Sequence, residues 1–178
     1  MNDQVAVQKQ GERRAIAIRT YQADDQPAVV HLYNHGLLEG LLAPNDTGAD
    51  IDNIVEAYFD EPRHHFWVAE LDGRVVGTIA VGSDEEHTAE IRRLRVAPDC
   101  GHEPIADTLL DTALVHCRDH GYLKIRLDTR YERTAATDHF DRNGYTLTRA
   151  RITSGKELLE FYLDLYREHR DEPEQAEA

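Results

Sequence analysis

Ala15-Ile-Ala-Ile-Arg19 alternates along the chain and predicts a first strand. The period then lengthens, and Val29, Leu32, Tyr33, Gly36 and Leu37 fall on one helical face behind an N-cap region at Asp24. Residues 53–59 predict a second, shorter helix. Phe66-Trp-Val-Ala-Glu-Leu71 and Arg74-Val-Val-Gly-Thr-Ile-Ala-Val81 are apolar strands joined by Asp72-Gly73, the strongest hairpin signal in the sequence. In the next strand, Ala89-Glu-Ile-Arg-Arg-Leu-Arg-Val-Ala-Pro98, Leu94 and Val96 share a face but Ile91 has the opposite parity. Burying all three needs one slip of the two-residue period, which predicts a β-bulge near Arg92 and Arg93.

A helix over 104–120 follows, with Ile105, Leu109, Ala113 and Cys117 in register, Pro104 in its first turn and Gly121 as its stop. Leu123, Ile125 and Leu127 predict a strand parallel to its predecessor, because a helix joins the two. A short helix over 135–142 ends at Asn143-Gly144, and strands over 145–153 and 160–165 flank Ser154-Gly155. The order β-α-α-β-β-β-α-β-α-β-β is that of a mixed α/β (α+β) sheet. Residues 1–14 are polar and aperiodic and 168–178 form an acidic tail, so disorder is expected at both ends of one domain over 15–167.

With 178 residues the chain is of single-domain size. No run is long and apolar enough to span a bilayer, and Met-Asn-Asp-Gln lacks the form of a signal peptide, so a cytoplasmic location is expected. Cys100 and Cys117 make no disulfide or metal pattern and read as reduced thiols. Net charge is −14, and Lys9, Lys124 and Lys156 are the only lysines among 20 basic residues. An acidic, lysine-poor surface suits a halophilic protein working in concentrated salt, although an ordinary acidic protein can share it. The same charge argues against nucleic-acid and anionic-membrane partners, which need basic patches.

The stretch from Glu90 to Tyr122 carries the functional signal. A strand, a short loop and a helix present free backbone N–H groups and the positive end of a helix dipole to a phosphate. The loop itself, Asp99-Cys-Gly-His-Glu-Pro-Ile-Ala-Asp107, has that length and place but acidic side chains. With Glu90-Ile-Arg-Arg-Leu-Arg-Val-Ala-Pro98, Leu109-Leu110, Leu127-Asp-Thr129, Ala135-Ala136, Phe140 and Asn143-Gly-Tyr145, residues 15–165 resemble the GNAT N-acetyltransferase superfamily.

The resemblance implies a fold in which the bulged fourth strand splays from the fifth and receives the pantetheine arm of acetyl-CoA, the co-substrate, like an added strand. It implies cofactor contacts at Leu94, Arg95 and Val96, in the loop at Gly101, His102, Ile105 and Ala106, and at Phe140. A primary amine, on a small molecule or a peptide, would attack the thioester directly, so the reaction needs a base and an acid but no side-chain nucleophile. Glu90 is the candidate base; the competing reading pairs it with Arg92, Arg93 or Arg126 on a solvated strand. Tyr33, Glu39, Arg149 and Arg151 are candidate liners of the acceptor pocket, and the last strands can either meet a second copy in a homodimer or face water.

The loop departs from the family pattern. Gly101 lacks the basic or amide side chain, and Pro104 replaces the central glycine and has no N–H to give. One lost donor to a charged phosphate costs on the order of 1.5–3 kcal/mol. Asp99, Glu103 and Asp107 add negative charge, and Phe140 stands where many members place a proton-donating tyrosine. These departures support an alternative: a GNAT-fold pseudoenzyme that has lost CoA binding and serves as a binding or regulatory module. The i, i+4 histidines, His31 with His35 and His116 with His120, have no third ligand nearby in sequence and read as solvated helix faces, with no metal expected. His64-His65 has the same bland reading.

Overall fold

The computed structural model describes residues 15–36, 47–101, 104–130, 144–153 and 156–168. The chain runs β1 (Ile16–Thr20), α1 (Gln26–His35), α2 (Ala49–Asp52), α3 (Ile54–Phe59), β2 (His65–Leu71), β3 (Arg74–Glu85), β4 (Thr88–Val96), α4 (Ile105–Asp119), β5 (Lys124–Arg130), β6 (Thr146–Thr153), β7 (Lys156–Asp164) and α5 (Leu165–Glu168). The predicted helix over 135–142, with Phe140, lies outside the described residues, as do His102 and Glu103.

All seven strands join one mixed sheet in the order β1-β2-β3-β4-β5-β7-β6. β4 and β5 are parallel, as their helical connection requires, and the other neighbours are antiparallel. Successive residues of β2 separate the two faces. Phe66 and Val68 join Val29, Ile51, Ile54 and Tyr58 under α1 to α3. Trp67 and Ala69 point the other way, into the layer formed by Ile105, Leu109, Ala113 and Cys117 of α4. Ile91, Leu94 and Val96 of β4 all lie in that second layer.

The Asp72-Gly73 turn puts both residues at positive φ, 53° and 75°, as a two-residue hairpin turn demands. β3 and β7 are longer than the sequence pattern predicts. β3 continues through Gly82 and Ser83 because β4 pairs with it as far as Glu85 opposite Thr88. β7 begins at Lys156 because β6 pairs with it from there, and β5 joins on its other edge from Leu158. The short α2 was not visible in the hydrophobic pattern.

The far end of α4 corrects the bland reading of the histidines. His116 is half-buried: its ring meets Trp67 edge-on at 5.0 Å, lies 5.5 Å from His65, and shares an Nε2 hydrogen bond of 3.0 Å with the Arg63 carbonyl. His120 stacks on it at 3.9 Å. His31 and His35 stack at 4.7 Å on an exposed face, as expected. Among the described residues no helix is long and apolar enough to cross a membrane, and no group of His, Cys, Asp or Glu is arranged to hold a metal.

Candidate active site

β4 leaves its ladder with β5 early. Pairing joins Thr88 to Lys124, Ala89 to Ile125 and Glu90 to Arg126, and ends there. Beyond that point β4 remains paired to β3 as far as Val96, and β5 to β7 as far as Arg130. The two central strands therefore part past Glu90, and among the described residues the ladder with β5 does not continue along the 91–96 edge of β4. Backbone groups on such an edge can accept an extended chain as an added strand.

The parting coincides with a bulge. Thr78 faces Arg95 and Ala80 faces Arg92, so Arg93 and Leu94 together stand opposite the single residue Ile79. Arg93 takes φ 57°, a left-handed conformation that costs a non-glycine residue roughly 1–2 kcal/mol. Several contacts hold it there. The Thr78 hydroxyl donates to the Arg93 carbonyl at 2.8 Å. Arg93 Nε and Nη2 donate to the two carboxylate oxygens of Asp50, at 2.8 and 2.5 Å, and the guanidinium carbon lies 5.1 Å from the centroid of the Tyr33 ring. The buried Tyr58 hydroxyl donates to Asp50 Oδ2 at 2.5 Å. Burial, with the Asp50 charge next, holds that phenol above its usual pKa, so it stays a donor. Arg95, 2% exposed, turns its Nη1 onto the Leu94 carbonyl at 3.0 Å, beneath Gly36 at the end of α1.

Glu90 sits at the closed end of the gap. Arg92 donates to its Oε2 through Nε at 2.9 Å and also through Nη2, and Arg126 approaches the same oxygen at 3.7 Å. The carboxylate thus ties β4 to β5 at the last point where they pair.

The other end of the gap lies at the start of α4. Pro104 is the N-cap, one residue earlier than a first-turn position, and no side chain caps the helix there. The leading N–H groups of any helix lack intrahelical acceptors, so those of Ile105 and Ala106 are donors of the kind a phosphate takes. α4 reaches this place because β3 has glycine beneath it. A Cβ on Gly77 would come within 2.7 Å of Ile105 Cγ2, 3.0 Å of Leu109 Cδ1 and 3.2 Å of the Arg95 carbonyl. The acidic loop also has a counter-charge from outside itself: Arg74, at the start of β3, donates to Asp99 Oδ2 at 2.7 Å and to Cys100 Sγ at 3.2 Å. The guanidinium holds the Asp99 carboxyl below the usual carboxylate range.

A family profile decides what this frame is: that of the Acetyltransferase (GNAT) family matches residues 36–145. The chain belongs to the GNAT acetyltransferase family. Relatives of this GNAT chain include "Probable N-acetyltransferase camello" of Xenopus tropicalis, 31% identical over 66% of this chain and 52% of that protein. Human N-acetyltransferase 8B is 32% identical over 56% of this chain and 46% of that protein. Xenopus tropicalis N-acetylaspartate synthetase is 32% identical over 54% and 36%. The chain thus spans about half or less of the length of these curated relatives. In structure it is similar to a GNAT acetyltransferase of Staphylococcus aureus (TM-score 0.71, 18% identity, 85% of this chain and 99% of that one). The protein yncA of Salmonella typhimurium, solved with its cofactor acetyl-CoA, has the same TM-score at 22% identity, over 85% of this chain and 94% of that one.

Leu94, Arg95 and Val96 lie together on the open edge of this GNAT sheet. Gly101, Ile105 and Ala106 gather at the start of α4, with Ile105 wholly buried against β3. Tyr33 stands by the bulge, its ring centroid 5.1 Å from the Arg93 guanidinium carbon; Glu39 lies outside the described residues. The sequence pattern marks neither Asp50 nor Arg74 as a site residue. Each acts on a residue far away in the chain, and neither contact leaves a local signal; the Gly48 helix start before Asp50, at φ 69°, is the nearest to one.

Proposed function

We propose that this GNAT protein transfers an acetyl group from acetyl-CoA to a primary amine by direct attack, in the cytoplasm of a salt-adapted cell. The observation that carries the reading is the parting of β4 from β5 beyond Glu90, beside a bulge that leaves 94–96 on the open edge. Acetyl-CoA supplies a thioester carbonyl that amines attack and a thiolate that departs. The chain's part is to hold and to move protons. The backbone of Leu94, Arg95 and Val96 aligns the extended arm, and the first N–H groups of α4 take the phosphates. Glu90, at the apex, accepts the ammonium proton. The departing thiolate takes its proton from water, since the sequence has Phe140 in the usual tyrosine place. Arg74 offsets part of the loop's acidity, which favours the enzyme over a module that has lost CoA. The presence of an N-acetylaspartate synthetase among the relatives makes aspartate the first acceptor to assay.

Calorimetry with acetyl-CoA in multimolar KCl tests the reading. Sub-millimolar binding is expected there; no heat at any salt concentration would leave the binding module as the function. Glu90→Gln is expected to lower turnover at neutral pH while acetyl-CoA still binds, and unchanged turnover would take Glu90 out of the mechanism.

A further inference from the structure

We infer that Asp50 is a positioning residue: from α2 it grips the bulge residue Arg93 and so fixes the open edge of β4 on which the thioester arm is to lie. The inference rests on the acetyl-CoA reading for its effect on binding, though not for its effect on the strand.

The geometry leads to Asp50 by elimination of weaker anchors. Arg93 is a non-glycine residue at positive φ within β4. Such a conformation persists only where its surroundings over-determine it. Its carbonyl is held by Thr78 from the neighbouring strand, which fixes one side of the bulge. Its side chain is held by a carboxylate that meets the guanidinium at two points, a directional pairing that a single charge cannot give. That carboxylate is itself oriented by the buried Tyr58 hydroxyl of α3, while Tyr33 of α1 faces the guanidinium. Three helices on one face of the sheet thus converge on a single strand residue. Leu94, the next residue, begins the 94–96 edge. Any relaxation at Arg93 re-aims the backbone groups that follow it, because a bulge sets the direction of the strand beyond it.

The test is Asp50→Asn, which keeps the shape and removes the charge, with Asp50→Glu as the charge-restoring variant. Backbone hydrogen exchange at 93–96 is expected to accelerate in Asp50→Asn, with the rest of the sheet unchanged. The Kd for acetyl-CoA is expected to rise about tenfold, the scale of one charge-assisted hydrogen bond. KM for acetyl-CoA should rise by the same factor, with kcat falling less, and Asp50→Glu should recover part of both effects. Unchanged exchange at 93–96 in a folded Asp50→Asn overturns the inference. If the wild-type protein binds no acetyl-CoA, the functional reading fails, and the exchange result alone still decides the role of Asp50. Should Asp50→Asn not fold, Arg93→Lys is read in the same way, since it keeps the charge and loses the two-point fork.

Discussion

Gly77→Ala places a methyl group where α4 meets the sheet, and the structure fixes both the sign and the scale of the outcome. Alanine in place of a strand glycine ordinarily gains some tenths of a kcal/mol, by lowering the entropy of the unfolded chain. Here the added carbon would meet Ile105 Cγ2 at 2.7 Å and the Arg95 carbonyl at 3.2 Å. The first contact is closer than carbon atoms approach, and the second is to backbone that cannot swing away. Ile105 is wholly buried, so its side chain has nowhere to go but outward with the helix. Overpacking of this kind costs about 1–3 kcal/mol, which exceeds the entropic gain several-fold. For a domain of this size that lowers Tm by about 2–4 °C per kcal/mol.

A double-mutant cycle isolates the contact. Ile105→Ala alone should cost about 2–5 kcal/mol through the cavity it leaves. In the double variant the new methyl occupies part of that cavity, so the combined loss should fall short of the sum by at least about 1 kcal/mol. Denaturant unfolding of the four proteins gives the coupling directly. Additive losses, or a Gly77→Ala protein as stable as the wild type, would refute the claim that Gly77 exists to let α4 approach. The same displacement moves the N–H groups of Ile105 and Ala106 away from the end of the gap, so the proposed acetyl-CoA affinity should fall in Gly77→Ala as well.

Two other perturbations probe the charges. Burial, with the charges of His116 and His120 next, holds the pKa of His65 below its ordinary value; burial does the same to His116, against the opposing hydrogen bond that His116 Nε2 donates to the Arg63 carbonyl. For a base, a folded pKa below the unfolded one means that stability is complete above about pH 6.5 and is lost as the pH falls toward the folded values. Tm should therefore decline on acidification through this range and decline less in His116→Gln; a pH-independent Tm would contradict the packing of the cluster. Arg74→Ala leaves Asp99 without its partner beside the proposed phosphate site, so acetyl-CoA should bind a few-fold more weakly at about 0.1 M salt and equally well near 1 M, where screening is about three times shorter in range. Equal loss at both salt levels would mean that Arg74 acts by some other route.

The hydrophobic pattern revealed most of the fold because each element buries one face. The parity conflict between Ile91 and Leu94 located the bulge to within a residue, since only an inserted residue puts both side chains in the same layer. The Asp-Gly turn and the stop at Gly121 were legible for the same local reason: both need positive φ. What escaped was long-range and polar. The carboxylate of Asp50 finds Arg93 across 43 residues, and Arg74 finds Asp99 across 25. Neither ion pair leaves any periodicity behind. Glu90 shows the opposite case: its partners Arg92 and Arg126 were among those named from sequence, but only the strand register reveals that the pair closes the apex of the gap.

The arginines of β4 bear on how an acidic chain can serve an anionic co-substrate. The chain has a net charge of −14, yet Arg92, Arg93, Arg95 and Arg126 gather around the gap, answered there by the carboxylates of Glu90 and Asp50. Two ranges of interaction are at work. The repulsion between the whole acidic surface and a polyphosphate acts across many ångströms, and a screening length of about 3 Å in molar salt removes it. The contacts of Arg93 with Asp50, at 2.5 and 2.8 Å, lie inside that length and are partly shielded from solvent, so they persist. Salt should then weaken what opposes binding more than it weakens what shapes the site. Acetyl-CoA affinity is thus expected to rise with KCl before it levels off, the reverse of the trend for a basic phosphate-binding protein, and a monotonic fall with salt would refute this division between long-range repulsion and short-range order.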